Sequence, residues 1–421
     1  MKKLRILMVI TAFFPYIGGA EKQAQKLAAE LMKKNIDVAV VTGRWSNNLK
    51  KFEEINGLKI IRNLTNFKFG SKEKINIETG FFYTDLSNRN IKLKSVKIFL
   101  KKIFVRSSIY IYQISLFLFL LSHKKVYDII HVHQMLYPAF ISTLCARILK
   151  KPVIAKIGNS GFNSDINQIK KFPEGRLQLK YILKNINKVV CTTTKMKEEL
   201  LNEGISKDKM ILIRNGVKTT DFYRSYESNN NLVYAGRFIK NKNINTLIFA
   251  FLKIVQIIDK KIKLTLIGDG PEKDNIVNLI KELGLEESII LTGMVNDPGN
   301  LLKKSDVFVL PSLVEGLSNS LIEAISYKLP CIVSNIPGNI EVISDIDLSY
   351  NIENGHFIVT KYGVLFNPSD IEGLANSIKY LLENKEIREK IGENAYCKIK
   401  NEFDIEVIAD KYTKLYEEVL K

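Results

Sequence analysis

Residues 306–324 read DVFVLPSLVEGLSNSLIEA, and this stretch predicts how the surrounding chain folds. After its first residue, the run 306–310 is apolar and rich in β-branched side chains, which is typical of a strand buried in a parallel sheet. A small loop follows, and Ser318, Asn319 and Ser320 lie where a helix would be capped. A strand, a loop and a helix in this order bring backbone N–H groups and a helix N-terminus toward an anionic ligand.

Two glutamates lie in this loop and in the helix that follows it. Glu315 lies within the loop, and Glu323 lies inside the helix, about a turn beyond its start. Carboxylate oxygens accept hydrogen bonds from sugar hydroxyls, so the pair is a candidate for binding a sugar or a ribose. Acidic residues on a helix usually form a solvated face, and the interpretation therefore depends on the other segments of the chain.

Length and composition predict two globular domains. The chain has 421 residues, of which 46% are hydrophobic and 25% are charged, as in ordinary globular proteins. A single core rarely serves so long a chain, so two domains of roughly 200 residues are expected. Four cysteines (Cys145, Cys191, Cys331 and Cys397) lack metal-site or disulfide spacing, which favours a reducing cytoplasm.

Strand and helix patterns alternate along the chain, which predicts parallel sheets flanked by helices. The predicted strands are 4–11, 37–42, 58–62, 128–133, 152–157, 188–193, 210–214, 232–236, 263–268, 289–292, 306–310, 331–334 and 364–366. A polar stretch, 225–231, follows Asn215-Gly-Val and indicates the break between domains. We therefore predict an α/β fold of two doubly wound, Rossmann-like domains, with ligand sites beyond the carboxyl ends of their strands, facing a central cleft.

Glycines follow the first strand of each predicted domain, and in the second domain two cations follow as well. Gly18 and Gly19 precede a helix, and paired glycines there let the backbone approach a phosphate or a sugar. In the second domain, Gly236 is followed by Arg237 and Lys242, whose charges can neutralise a diphosphate. The sequence has no G-x-G-x-x-G motif, which argues against a nicotinamide dehydrogenase.

Two histidines lie on one predicted strand. His131 and His133 are two residues apart, so their side chains point to the same face. A histidine on a buried strand usually has a structural partner in the core. His133, however, lies at the carboxyl end of the strand, where a ligand site is expected.

Positive charge is concentrated in the first half of the chain. The net charge is +19 overall; residues 1–215 contain 39 Lys and Arg against 15 Asp and Glu, a net +24, and the remainder carries −5. This asymmetry predicts that the first half meets an anionic surface. No helix-turn-helix, zinc-binding or aromatic RNA-binding signature accompanies the charge, so nucleic acid is not the expected partner.

One basic segment favours a membrane as that surface. Between Lys92 and Arg106, apolar residues and lysines occupy opposite faces of a helical pattern, which is typical of binding to anionic lipid. The apolar run 109–121 that follows is too short to span a bilayer and fits either a core helix or an interfacial one. The basic and apolar N-terminus imitates a signal peptide, but no small-residue cleavage site follows, so we expect a first strand instead. The expected location is cytoplasmic, peripheral on the inner face of the plasma membrane.

These segments together resemble the retaining glycosyltransferases of family 4, also called glycosyl transferases group 1. The resemblance covers nearly the whole chain and rests on Glu315 and Glu323 as an E-x7-E pair, Arg237 and Lys242, the G-x-G-P turn at 268–271, and Asn215-Gly-Val. It implies the GT-B fold, with an acceptor-binding domain over 1–215 and a nucleotide-sugar-binding domain over 216–403. A final helix, 404–421, would pack back toward the first domain.

The resemblance also implies an activity. The enzyme would move a sugar from a nucleoside diphosphate sugar, with UDP and GDP as the candidates, to a lipid-linked or growing glycan in capsule or lipopolysaccharide synthesis. It would retain configuration and need neither a metal nor another cofactor.

Residue roles follow from the same resemblance. Arg237 and Lys242 would neutralise the leaving diphosphate, and His133 would contact the donor sugar or the acceptor. Glu323 would hold the ribose, and Glu315 the sugar hydroxyls. The implied donor-binding residues are Gly18, Gly19, Gly236, Arg237, Lys242, Gly268, Gly270, Gly293, Met294, Glu315, Gly316, Leu317, Ser318, Asn319, Ser320 and Glu323.

Three positions depart from the family pattern. Asn243 stands where relatives often have glycine, Lys218 replaces the usual acid after Asn-Gly-Val, and Lys156-Ile-Gly158 lacks the His-Gly pair of many relatives. Two other functions stay open. A sugar-nucleotide epimerase would share the architecture but need acid and base residues elsewhere. A catalytically inactive partner of a membrane polysaccharide complex would be free to lose the charged site residues that this chain keeps.

Overall fold

The structure is a computed structural model that describes residues 3–15, 18–44, 46, 48–63, 109–159, 161, 164–227, 230–258, 262–345 and 351–421. The chain divides into two compact units. Unit 1 comprises Met1–Thr192, Met196–Ile213 and Ala409–Lys421, and unit 2 comprises Thr193–Lys195 and Arg214–Ile408.

Unit 1 is built on an eight-stranded sheet. Its strands are β1 (Arg5–Ile10), β2 (Asp37–Gly43), β3 (Phe52–Ile55), β4 (Leu58–Asn63), β5 (Ile129–His133), β6 (Val153–Lys156), β7 (Lys188–Cys191) and β8 (Met210–Leu212). Across the sheet they run β3-β4-β2-β1-β5-β6-β7-β8, and all neighbours are parallel except β3 and β4. The helices of this part of the chain are α1 (Gly19–Lys33), α2 (residues 109–122), α3 (Tyr137–Leu149), α4 (Asp165–Lys170), α5 (Gly175–Asn185) and α6 (Thr194–Asn202).

Unit 2 is built on a seven-stranded sheet. Its strands are β9 (Asn231–Ala235), β10 (Lys263–Ile267), β11 (Ile289–Gly293), β12 (Val307–Leu310), β13 (Cys331–Ser334), β14 (Phe357–Val359) and β15 (Val364–Phe366). Their order is β11-β10-β9-β12-β13-β15-β14, and only β14 is antiparallel to its neighbour. The helices of this part of the chain are α7 (Ile244–Ile257), α8 (Lys273–Glu282), α9 (Gly299–Lys303), α10 (Asn319–Ser326), α11 (Pro337–Ile343), α12 (Ile371–Glu383), α13 (Lys385–Glu402) and α14 (Ile405–Leu420), of which α14 belongs mostly to unit 1.

The predicted fold class is confirmed, because each unit is a doubly wound, Rossmann-like sheet. In unit 1 the strand order reverses beside β1, which pairs with β2 on one side and β5 on the other. In unit 2 it reverses beside β9, which pairs with β10 and β12. Parallel α/β sheets bind ligands outside the carboxyl ends of their strands at such a reversal. The fold therefore marks one expected ligand position in each unit.

The central strands are buried on both faces, which explains their apolar sequences. Every residue of β5, β6, β12 and β13 is buried. All thirteen predicted strands are present, with ends that differ by one or two residues. The two strands that the apolar pattern missed, β3 and β14, are the antiparallel edge strands, and neither has a fully buried residue.

From Ala409 onward, α14 packs as part of unit 1. Lys34 Nζ lies 2.7 Å from Asp410 Oδ1, and Lys188 Nζ lies 2.7 Å from Glu418 Oε1. Tyr416 is fully buried and shares a 2.8 Å hydrogen bond with Nδ1 of His131. Residues far apart in the chain thus complete the core of this unit.

The apolar run 109–121 forms most of α2, which is buried on one face only. Tyr112, Leu116 and Leu120 are fully buried in the core of unit 1. Ile114 and Leu118, in contrast, are 61% and 59% exposed. No helix in the described ranges is long and apolar enough to cross a membrane. The basic segment predicted between residues 92 and 106 lies outside the described residues.

Candidate functional site

The candidate site of unit 2 lies where β9 and β12 end, at the reversal of the strand order. Gly236 and Arg237 directly follow β9, and Lys242 ends a short 3-10 helix, Lys240–Lys242. Glu315 lies in the loop that follows β12. Nζ of Lys242 forms an ion pair with Oε1 of Glu315, and the two side chains are only 16% and 11% exposed. The structure thus brings two predicted site residues, 73 positions apart, into direct contact.

The backbone at Asn243 explains one departure from the family pattern. Asn243 has a φ of +53° and a ψ of +40°, the left-handed region that glycine adopts freely. Asparagine is the non-glycine residue that most readily tolerates this region, because its short side chain bonds locally. Its Oδ1 accepts a 3.0 Å hydrogen bond from Oγ1 of Thr246. Asn243 therefore adopts a backbone conformation that the glycine of the family pattern would also adopt without strain.

Backbone contacts hold the Glu315 loop in place. The N–H of Leu313 donates a 2.8 Å hydrogen bond to the carbonyl of Asn241, next to Lys242. On the other side, a Cβ built on Gly338 would lie 1.9 Å from the carbonyl oxygen of Gly316 and 2.7 Å from that of Glu315. Only glycine allows α11 to approach the loop this closely.

Glycines also let the loops after β9, β10 and β11 pack against each other. A Cβ on Gly268 would lie 1.9 Å from the carbonyl oxygen of Gly236, and one on Gly270 would lie 2.4 Å from that of Phe238. Backbone hydrogen bonds join the three loops: Gly268 N–H donates to Gly293 at 3.0 Å, and Phe238 N–H to Asp269 at 2.9 Å. The predicted glycines Gly236, Gly268, Gly270 and Gly293 therefore form one continuous surface of backbone.

A buried tyrosine is hydrogen-bonded to the backbone next to this surface. Tyr234, in β9, is fully buried, and its hydroxyl donates a 3.3 Å hydrogen bond to the carbonyl of Arg237. Burial, and after it the charge of Glu315, raises the pKa of Tyr234 well above its usual value, and Arg237 opposes this effect. The charges of Glu315 and Arg237 thus both affect the pKa of Tyr234, so both lie near this one side chain.

The helix after the loop is capped as its sequence predicts. Ser318 is the N-cap of α10, and its Oγ accepts a 3.4 Å hydrogen bond from the N–H of Leu321. Asn319, the first helical residue, accepts a 2.8 Å hydrogen bond from Nδ2 of Asn215. Ser320 and Glu323 are half-buried, and Leu317 is buried. Met294, after β11, is 58% exposed.

The remaining predicted site residues belong to unit 1, at its own strand reversal. Gly18 is the N-cap of α1, and Gly19 is the first residue of that helix. His133 ends β5, in register with Ile10 of β1 and Lys156 of β6. The structure therefore brings Gly18, Gly19 and His133 to one sheet edge in unit 1, and the other predicted residues to one edge in unit 2.

The two histidines of β5 lie side by side in the core, as their spacing predicts. Their ring centroids are 4.3 Å apart, and both side chains are almost fully buried. Burial, followed by the charge of Lys156, lowers the pKa of His131 to about 3. Burial and the charges of His131 and Lys156 hold the pKa of His133 well below its usual value. Both rings are therefore neutral near pH 7.

A buried acid organises the loops that follow β5 and β6. The carboxylate of Asp165 accepts hydrogen bonds from the N–H groups of Met135 at 2.7 Å, Gly158 at 2.9 Å and Asn159 at 3.2 Å. Burial raises the pKa of Asp165 to about 6, although the backbone N–H groups oppose the shift. Asp165 thus links the loop after His133 to the loop after Lys156.

Sequence reasoning missed several residues that shape the sites. Asn241, Gly338 and Asp165 act through contacts with distant parts of the chain, and Tyr234 through its burial and the charge of Glu315, none of which a local pattern reveals. Gly338 alone carried a usable signal, since Pro337-Gly338 follows a strand and begins a helix, as Gly18 and Gly19 do. Within the described ranges, no group of three or more His, Cys, Asp or Glu side chains is placed to hold a metal ion.

Comparison with known proteins identifies two family models along the chain. The model described as Glycosyltransferase Family 4 matches residues 17–221, and the model described as Glycosyl transferases group 1 matches residues 218–398. The two matches overlap at residues 218–221, a few residues beyond Arg214, where the sequence passes from unit 1 to unit 2.

Individual relatives are similar over most of their length. An N-acetyl-alpha-D-glucosaminyl L-malate synthase from Bacillus anthracis is 26% identical over 315 residues, which are 71% of this chain and 77% of that protein. A UDP-Gal:alpha-D-GlcNAc-diphosphoundecaprenol alpha-1,3-galactosyltransferase from Escherichia coli is 28% identical over 318 residues, again 71% and 77%. The structure of sucrose-phosphate synthase from Thermosynechococcus elongatus superposes with a TM-score of 0.72 at 20% identity, covering 99% of each chain. The last likeness shows the shared fold.

Proposed function

This chain belongs to glycosyltransferase family 4, the glycosyl transferases group 1, and from that premise we propose that it moves a sugar from a nucleoside diphosphate sugar to a lipid-linked or growing glycan. The donor nucleotide is UDP or GDP. The setting is the synthesis of a cell-surface polysaccharide, such as a capsule or lipopolysaccharide.

The observation that carries the proposal is the charged cluster at the strand reversal of unit 2. Arg237, Lys242 and Glu315 lie beside the glycine-rich backbone at the carboxyl ends of β9 and β12. A diphosphate needs cations and N–H donors, and a sugar needs carboxylates that accept from its hydroxyls. Both kinds of group converge at the position where this fold binds nucleotides.

Each residue then has a defined role. Arg237 and Lys242 neutralise the charge that develops on the leaving diphosphate, as an electrostatically prepared site does. Glu323 accepts hydrogen bonds from the ribose, and Glu315 from the sugar. The backbone around Gly236, Gly268, Gly270, Gly293 and Met294, together with residues 316–320, encloses the nucleotide. Gly18, Gly19 and His133 are the candidate ligand-binding residues at the strand reversal of unit 1.

The chemistry is a substitution at the anomeric carbon with retention of configuration. The bond between that carbon and the diphosphate oxygen breaks, and a bond to the acceptor hydroxyl oxygen forms on the same face. The acceptor proton goes to the leaving phosphate, so no protein base is consumed. The charges of Arg237 and Lys242 replace a metal ion in this scheme.

Relatives support the class of acceptor. The name of the Escherichia coli relative gives UDP-galactose as its donor and a sugar linked to diphosphoundecaprenol as its acceptor. A lipid-linked acceptor lies at a membrane, which fits the net charge of +24 over residues 1–215 and the exposed apolar face of α2. We propose that the protein works at the inner, anionic face of the plasma membrane.

Thermal unfolding of the purified protein with UDP, GDP and ADP tests the donor site. A ligand of the native state raises the melting temperature by mass action. We expect a rise with UDP or GDP that Glu323→Ala removes. The absence of a rise with all three nucleotides would contradict the proposal and favour an inactive partner protein.

Transfer to a lipid-linked acceptor tests the reaction itself. Arg237→Ala and Lys242→Ala should each slow sugar transfer by about 100-fold, because each removes a charge that stabilises the transition state. Unchanged rates in both variants would refute the roles assigned to them. Interconversion of sugar nucleotides without transfer would instead identify an epimerase.

A further inference from the structure

The ion pair between Lys242 and Glu315 joins two side chains that serve different parts of the proposed donor. In that function, which this inference extends, Lys242 binds the diphosphate and Glu315 binds the sugar. The structure nevertheless pairs them with each other, Nζ against Oε1. A diphosphate that engages Lys242 therefore meets an ammonium group that is already paired with Glu315.

We propose that Lys242 changes partner when the donor binds, and that this exchange couples recognition of the diphosphate to recognition of the sugar. The diphosphate withdraws the ammonium group from Glu315. The carboxylate then accepts hydrogen bonds from the sugar hydroxyls in place of the lysine. A donor offers a new partner to both side chains, whereas a nucleoside diphosphate without its sugar offers one only to Lys242.

The backbone favours an exchange by side-chain rotation alone. The N–H of Lys242 is hydrogen-bonded to the carbonyl of Ile239 at 2.9 Å, and the left-handed Asn243 ends the same turn. The bond from Leu313 to Asn241, at 2.8 Å, joins this turn to the Glu315 loop. A lysine side chain has four rotatable bonds and three donors, so its charge can move while its backbone stays fixed.

Burial makes the exchange of partners matter for the free energy of binding. The side chains of Lys242 and Glu315 are 16% and 11% exposed, so water cannot replace a lost partner as it would at the surface. Withdrawing the lysine from a largely buried carboxylate is costly unless new donors take its place. Sugar hydroxyls provide such donors. The product, which has lost its sugar, is therefore held less tightly than the donor, which favours its release.

Calorimetric titration with UDP, and in parallel with GDP, tests the exchange. Glu315→Gln removes the competitor for Lys242, so we expect the nucleoside diphosphate that binds the wild type to bind this variant roughly fivefold more tightly. Glu315→Ala should give the same gain, which would exclude an effect of the new amide. The combination of Lys242→Met with Glu315→Gln should bind no better than Lys242→Met alone.

Glu372→Gln is the matched control. Glu372 forms an ion pair with Lys253 in the same unit at 2.7 Å, but both side chains are about half exposed, so its loss should leave affinity unchanged. Equal or weaker binding by Glu315→Gln and Glu315→Ala would overturn the exchange while leaving the donor site intact. No binding of either nucleotide to the wild type would instead overturn the proposed function on which the exchange rests.

Discussion

Single backbone positions determine how closely the loops of the candidate site approach each other. Because Gly338 has no side chain, α11 can pack against the carbonyl groups of Glu315 and Gly316. In the same way, Gly268 lets the loop after β10 pack against Gly236, in the loop after β9. Asn243 turns the chain at Lys242 with a φ of +53°. The available space or the backbone angle decides which residue can occupy each of these positions. The size and backbone freedom of the residue therefore matter more than its chemical groups.

Substitution of Asn243 tests this dependence. Asn243→Gly should retain nucleotide binding, because glycine adopts the left-handed region freely. Asn243→Val should lower the free energy of unfolding by about 1–2 kcal/mol, since the left-handed backbone costs an ordinary side chain that much. Asn245→Val, at an exposed helical position two residues later, is the control and should cost under about 0.5 kcal/mol. Equal losses for the two valine variants, measured by urea unfolding, would contradict the argument.

At the scale of elements, α14 and β5 meet through a buried hydrogen bond. His131 shares it with Tyr416, and the ring of Tyr412 lies 5.1 Å from that of His131. The other charged or titratable neighbours that affect these histidines are Lys156 and the histidines themselves. The contact attaches α14 to the sheet of unit 1, and the burial that surrounds it favours the neutral imidazole.

Stability should therefore fall in mild acid. The pKa of His131 is about 3 in the folded protein and about 6.5 when unfolded, so below pH 6.5 the proton binds the unfolded chain preferentially. The contribution of His131 is complete above pH 6.5 and is lost as the pH falls toward 3, by up to about 1.4 kcal/mol per pH unit. In urea unfolding between pH 7.5 and 5, the free energy of unfolding should decrease less steeply with falling pH for His131→Gln than for the wild type.

Sequence patterns predicted elements well where burial is continuous along the chain. The apolar runs of β5, β12 and β13 identify strands because both faces of a parallel sheet are covered. The edge strands β3 and β14 escaped because they are short and partly exposed, which leaves no periodic signal. Likewise, Ser318 was recognisable as a cap from its neighbours, whereas the pairing of Lys242 with Glu315 depends on how two strands are ordered in the sheet.

At the scale of the whole molecule, charge and exposed apolar surface fall on the same part of the chain. Residues 1–215 carry a net charge of +24, and α2 within them presents Tyr110, Ile111, Ile114 and Leu118 to solvent. Apolar side chains that insert at a lipid interface, with cations attracted to anionic headgroups, form the usual basis of peripheral membrane binding. The two properties together support the membrane location proposed above.

Vesicle flotation tests this location. The protein should float with anionic vesicles at low salt, detach as salt rises, and ignore neutral vesicles, because the attraction is screened. Ile114→Glu should weaken flotation by about tenfold, since it places a charge in the apolar face. Ile257→Glu, at an equally exposed position in unit 2, should have no effect. Flotation that survives Ile114→Glu, and also the replacement of Lys94, Lys97, Lys101 and Lys102 with glutamate, would refute membrane binding through this region.

The membership of residues 409–421 in unit 1 has a consequence for the way the protein is made. A ribosome synthesises the chain from its N-terminus, so most of unit 1 emerges before any of unit 2. The partner of His131, Tyr416, is added only after unit 2 has been translated. The part that is made first therefore stays incomplete during translation, because His131 of β5 lacks its contacts with Tyr412 and Tyr416 until the end of the chain packs against it. A nascent chain stalled inside unit 2 should therefore still bind chaperones, even though all the strands of unit 1 have already been synthesised.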